Sequence, residues 1–250
     1  MKRIIATLAC SLFLYAPAAA MVGGAEEAPT AIARHVVLLV NSRGASCSGI
    51  AISRTVVLTA AHCLAPDAEH KLVEFGPGPP VLKDIASIQR HPQFDAHAAA
   101  RHRVTADVAL VKLAAPLPAR MTEAPLAAPR KAVVAGDLFL VAGYGVAVPG
   151  DGKSGGKVRS ARLMAWSKPG TLQIRLVDPV RQGDRPGLGA CTGDSGAPVF
   201  EEADGRLAVL GVVSWTTGPA LSAGCGGITG VTPLVRYRDW IVQTARKLAQ

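Results

Sequence analysis

Three residues of this chain have the types and settings that can turn an alcohol into a nucleophile: His62, Asp107 and Ser195, in that order. A serine hydroxyl reacts poorly until a base takes its proton, and a histidine base needs an acid to hold its tautomer. Ser195 stands in Gly193-Asp194-Ser195-Gly196-Ala197-Pro198, a turn whose glycines let backbone approach a substrate carbonyl closely. His62 follows the apolar run Val56–Thr59 and adjoins Cys63, which separates it from the other histidines. His91, His97 and His102 sit in a polar, Ala/Arg-rich loop and read as surface or packing residues. Asp107 immediately precedes the apolar run 108–113; alone it would read as a strand-edge aspartate. Each residue is ordinary by itself. Together they point to acyl transfer.

Their order excludes one hydrolase class. Gly193-Asp194-Ser195-Gly196-Ala197 nearly reads as the G-x-S-x-G elbow of α/β-hydrolases, whose triad runs Ser, acid, His. No histidine follows Ser195, so that reading fails.

The elements that must position these residues are short β-branched or alternating runs: 36–40, 55–59, 108–113, 138–141, 172–177 and 207–213. Gly/Pro clusters at 75–80 and 148–156 punctuate them. Many short strands without intervening helical patterns predict an all-β domain of closed or nearly closed sheets. The end differs, because Leu234, Tyr237, Ile241, Thr244 and Leu248 fall at helical spacing with Trp240 beside them. A C-terminal helix over about 234–249 is expected there, packed on the second half of the domain.

The chain has 250 residues, 49% apolar and 18% charged, enough for a large core and far from the composition of disorder. Its net charge of +9 is spread without basic runs, so it reads as solvated surface rather than a nucleic-acid site. Lys2 and Arg3 precede an apolar stretch from Ile4 to Tyr15 and then Ala18-Ala19-Ala20. That is the pattern of a secretory signal (1–20) cleaved after Ala20, and the apolar stretch is short for a membrane span. The expectation is a monomer in the periplasm or outside the cell, with no membrane attachment after processing. Cys10 would leave with the signal. Four cysteines remain: Cys47, Cys63, Cys191 and Cys225. An even count in an exported chain suggests disulfides, with three pairings open. Their spacing is poor for a metal site.

The segments Leu58-Thr59-Ala60-Ala61-His62-Cys63, Asp107-Val108-Ala109-Leu110 and Gly193 to Pro198 resemble the signatures of chymotrypsin-like (trypsin-family) serine peptidases, here a bacterial exported member. The resemblance runs from Met21-Val22-Gly23-Gly24 to Gly230-Val231-Thr232-Pro233, nearly all of the mature chain. It implies two packed six-stranded antiparallel β-barrels, about 21–128 and 129–233, with a crossover at 125–131 and the active site in the seam. It assigns Ser195 as nucleophile, His62 as general base, Asp107 as its orienting acid, and the N–H groups of Gly193 and Ser195 as the oxyanion hole. It pairs Cys47 with Cys63 and Cys191 with Cys225; closing the first loop stabilises by roughly 3 kcal/mol in the chain-entropy model.

The same resemblance places Gly189, Ala190, Ser214, Trp215, Thr216 and Gly230 around the substrate. Gly189 stands where trypsin-like members carry an aspartate, so a substrate cation would be left unpaired at a desolvation cost. An uncharged, small-to-medium apolar residue before the scissile bond is therefore expected. No cofactor or metal is expected: the family's calcium loop would fall near 69–80, where acidic ligands are scarce. The substrate is a protein or peptide. Finally, the resemblance implies that a freed Met21 ammonium pairs with Asp194 to complete the oxyanion hole, with signal cleavage itself supplying that terminus. The alternative of a different class is a catalytically inactive binding or regulatory protein on the same fold.

Overall fold

The structure, a computed structural model, describes residues 21–250 except 102, 129–131, 168 and 204. The signal segment 1–20 with Cys10, and part of the crossover, lie outside the described residues. Strands β2 (Val36–Asn41), β3 (Ser46–Ala51), β4 (Val56–Thr59), β5 (His70–Glu74), β6 (Val81–Arg90) and β7 (Ala109–Leu113) close into a barrel in the order β2-β3-β4-β7-β6-β5. Strands β8 (Leu138–Gly143), β9 (Arg159–Ala165), β10 (Ile174–Val177), β11 (Pro198–Ala203), β12 (Arg206–Thr216) and β13 (Thr229–Pro233) form the second barrel, closed where β8 pairs with both β9 and β11. Every pairing between named strands is antiparallel.

The unbroken apolar runs have a packing cause. Side chains alternate across a strand, and these strands are covered on both faces. In β7, Ala109, Val111 and Leu113 fill the first barrel, while Leu110 faces the layer between barrels. In β4, Val57 points into the barrel and Val56 and Leu58 point out to the same intervening layer. From the other side Phe200, Val209 and Val212 meet them, while Leu210 and Val213 turn into the second barrel with Phe139, Leu163 and Leu176. The seam is thus a third core.

Both chain ends depart from the expected division. Residues 21–27 sit on the second barrel rather than the first: β1 (Glu26–Glu27) pairs with β9, and Met21 is buried among Phe139, Ala190 and Val213. The apolar Met21 fills that barrel's end, which outweighs proximity in sequence to β2. At the other end, α1 (Thr30–Ala33) is a single turn leading into β2, and the C-terminal helix α2 spans Arg238–Ala249. Leu234–Arg236 form a 3-10 turn before it, so the helix begins later than its spacing predicts. It packs on the first barrel, not the second. Tyr237 and Ile241 join Val56, Leu58 and Leu110, and the rings of Tyr237 and Trp240 meet His91 edge-on at 4.9 and 4.8 Å. Asp239 in the first turn and Arg246 and Lys247 in the last suit the helix dipole.

Candidate active site

Strand pairing brings the base and acid together. Thr59 at the end of β4 lies opposite Ala109 at the start of β7. His62, on the 3-10 turn Ala61–Cys63 after β4, therefore meets Asp107, two residues before β7. Asp107 is buried and accepts the His62 backbone N–H at Oδ1 (2.9 Å) and the Ser214 hydroxyl at Oδ2 (2.5 Å). His62 Nδ1 is 2.8 Å from Asp107 Oδ2. Burial works against ionising Asp107, but the His62 and Ser214 hydrogen bonds outweigh it and hold the carboxyl below the usual range. An ionised carboxylate only accepts, so Nδ1 carries the proton and Nε2 keeps its lone pair. Burial also opposes charging His62, yet the hydrogen bond and charge of Asp107 win and raise its pKa. The ring is an aligned base.

Ser195 comes from the other barrel, on the turn before β11. That turn is fixed to β12: Gly196 N–H donates to the Val213 carbonyl (2.7 Å), and Val213 N–H to the Ala197 carbonyl (2.9 Å). Gly193 and Gly196 have φ of +95° and +78°, and a Cβ at Gly196 would strike Thr59 and Ser48, so glycine is required. Ser195 and His62 face one cleft of about 340 Å³ with Gly193, Thr192, Trp215 and Thr216. Among the described residues, the Ser195 hydroxyl makes no hydrogen bond, and the N–H groups of Gly193 and Ser195 donate to nothing. Catalytic hydrogen bonds are often long until substrate arrives.

Cys47 bonds to Cys63, tying β3 to the turn of His62, and Cys191 bonds to Cys225 beside the nucleophile turn. Cys47, His62 and Cys63 are the one group of described residues close enough to share a metal, but both sulfurs are spent in the disulfide.

The expected pocket residues divide. Trp215 and Thr216 line the cleft, Ser214 turns back to Asp107, and Gly189, Ala190 and Gly230 lie buried behind them. Trp215 pairs with Gly230 across the sheet at a bulge in β12, and its indole occupies the space a Cβ on Gly230 would need. The Thr216 hydroxyl donates across to the Ala190 carbonyl (2.9 Å), and Gly189 N–H donates to the Val22 carbonyl (3.3 Å). Asp194 is fully buried, accepting N–H bonds from Gly145 and Cys191, each at 2.9 Å. Burial pushes its carboxyl up to about 7 against those two bonds. Met21, joined to residue 20, is buried near this turn. Sequence reasoning missed Ser48, a fully buried hydroxyl on β3 that reaches Gly193; the mixed Ser, Cys and Gly of Ser46–Ala51 gave no signal for it.

Fold, cleft and the Asp–His pair meet in one family: the chain belongs to the Trypsin family, whose model matches residues 21–241. It is a serine endopeptidase, hydrolysing peptide bonds. It is 30% identical to Serine protease 1 of Canis lupus familiaris over 224 residues, 79% of each chain. It is 27% identical to Snake venom serine protease rhinocerase 4 of Bitis rhinoceros over 247 residues, 96% of this chain and 93% of the relative. With Trypsin II-P29 of Gallus gallus it shares 29% identity over 214 residues, 79% of each.

Proposed function

We propose that Ser195 is the nucleophile, His62 the general base and later acid, and Asp107 the group that holds His62. In this reading Ser195 Oγ attacks the scissile carbonyl as its proton passes to His62 Nε2, and Asp107 stabilises the imidazolium. The Gly193 and Ser195 N–H groups receive the oxyanion. His62 then protonates the leaving amine, and water activated by the same ring releases the acyl group from Ser195. The observation that carries this reading is the Asp107–His62 pair of one barrel sharing a cleft with Ser195 of the other. Oxyanion donors of this kind each contribute on the order of 3–4 kcal/mol to the transition state.

The residue before the scissile bond is small to medium and uncharged. The indole over Gly230 and the Thr216 hydroxyl bound to Ala190 support a shallow primary pocket, and Gly189 offers no charge. The chain is exported, with cleavage after Ala20 by signal peptidase. The new Met21 ammonium then pairs with Asp194, and no separate propeptide is needed; the burial of both residues supports this.

An active-site organophosphate tests the assignment. One equivalent should attach at Ser195, and Ser195→Ala should lose labelling and peptidase activity at an unchanged melting temperature. A folded wild-type protein that resists labelling would instead favour a binding role.

A further inference from the structure

Four successive carbonyls shape the turn that carries the free N–H groups of Gly193 and Ser195, and each is held. Thr192 O accepts Val146 N–H (2.8 Å), Asp194 O accepts Ala197 N–H (2.9 Å), and Ser195 O accepts Ser48 N–H (2.8 Å). Those three donors are backbone groups, which no ordinary substitution removes. Gly193 O is different. It accepts from a side chain, the hydroxyl of Ser48, at 2.8 Å.

Ser48 is fully buried on β3, one residue after Cys47, and so belongs to the barrel that carries His62. Its hydroxyl also accepts the Tyr144 N–H at 2.9 Å, at the end of β8 beyond Gly143. That second bond fixes the direction in which the hydroxyl proton points. The Ser48 carbonyl accepts the Thr59 hydroxyl at 2.7 Å, so the residue has little freedom to turn. The peptide between Gly193 and Asp194 is thereby anchored at both ends, because Asp194 N–H donates to the Cys191 carbonyl at 2.9 Å. A peptide is planar, so fixing its carbonyl and N–H fixes its tilt. The N–H groups of Gly193 and Ser195 belong to the two peptides that flank it in the chain, so their aim depends on its tilt.

We infer that Ser48 is a positioning residue for catalysis: its buried hydroxyl, by holding the Gly193 carbonyl, aims the two N–H groups that receive the oxyanion across the barrel seam. Its loss does not remove a donor to the substrate. It leaves the donors present but imperfectly directed, and electrostatic stabilisation at this point depends on preorganised direction. The cost falls on the tetrahedral transition state and not on the bound ground state, so it is read in kcat rather than KM.

The inference rests on Ser195 as nucleophile, and organophosphate labelling of the wild type checks that separately. Ser48→Ala should lower kcat by about tenfold with KM within about twofold, less than the hundredfold or more that follows loss of a direct oxyanion donor. Affinity for a peptide boronic acid, which forms a tetrahedral adduct on Ser195, should fall in parallel, while affinity for the cognate product peptide stays level. Ser53→Ala removes the hydroxyl that accepts the Thr55 and Val56 N–H groups between β3 and β4, touches neither Ser48 nor Gly193, and should lower the melting temperature with little change in kcat. Ser48→Gly, which also deletes the hydroxyl, serves if the alanine variant does not fold. An unchanged kcat in a wild-type background that labels normally would overturn the inference alone. So would equal losses for boronate and product peptide, or failure of both Ser48 variants to fold, which would make Ser48 a stability residue only.

Discussion

The two barrels bring unequal degrees of readiness to the cleft. The first delivers an oriented pair: Asp107 accepts the His62 backbone N–H and faces its Nδ1, and His62 Nε2 meets only the Cys63 sulfur at 3.9 Å. The second delivers parts with fewer bonds in place. Its Ser195 hydroxyl is unbonded among the described residues, its Asp194 is buried without a cation there, and the Trp215 indole lies over Gly230. The Asp107–His62 bonds follow from the pairing of β4 with β7, and Ser214 of β12 adds a third bond to Asp107 from the other barrel. On the Ser195 side the Asp194 carboxyl is buried with two backbone N–H bonds and, in the reading proposed above, gains a cation only when Met21 is freed from residue 20. In the reading proposed above, the Asp107–His62 pair follows from strand pairing, whereas completion of the Ser195 side waits on the chain terminus.

The largest test of this contrast strikes the finished half. Asp107→Asn should cut kcat by roughly 10⁴, since an amide no longer enforces the tautomer that leaves Nε2 free. Because Asp107 overcomes burial to raise the His62 pKa, the wild-type acid limb of kcat/KM should lie above the ordinary histidine value. In the variant that limb should move to lower pH. A limb that stays in place would mean that another group sets it.

The second test strikes the unfinished half. In a protein carrying one extra alanine before Met21, the ammonium is displaced and Asp194 stays unpaired. Its folded pKa of about 7 exceeds the ordinary value of 3.8, so the folded state binds the proton more tightly than the unfolded state does. Stability should therefore fall as pH rises from about 4 to about 7, by on the order of 4 kcal/mol. Urea unfolding across that range should show a smaller fall for the chain beginning at Met21, which should also be the more active form. Identical pH profiles for the two proteins would remove Asp194 from the switch.

The smallest expected effect concerns the pocket. Trp215→Ala clears the space over Gly230, and kcat/KM for phenylalanine relative to alanine before the scissile bond should rise roughly tenfold. A peptide-library profile that keeps its small-residue preference would show that the indole is not the wall.

How much of this could be read beforehand follows from local pattern. The strands β4, β7, β8 and β12 announced themselves because residues of both faces are buried, leaving largely apolar runs, and β2 by its run of Val and Leu. β9 did not, since Arg159, Ser160 and Arg162 interrupt it while its alternate residues Ala161, Leu163 and Ala165 face the core. His62, Asp107 and Ser195 were legible from their settings in the chain, and the two disulfides from family likeness. Where α2 docks was not, because its apolar face fits either barrel equally well as a pattern. Ser48 and the lie of the Trp215 ring depend on contacts between residues far apart in sequence, which no spacing encodes.

The crossed placement of the two ends has a consequence for how the molecule comes into being. Residues 21–27 are made before β9 and β10 yet must wait for them, while the barrel that follows them stays uncovered until α2 is made. Neither half can be completed by its own stretch of polypeptide. Productive folding is a whole-chain event, so premature termination anywhere before Ile241 leaves an exposed apolar seam rather than a smaller working enzyme.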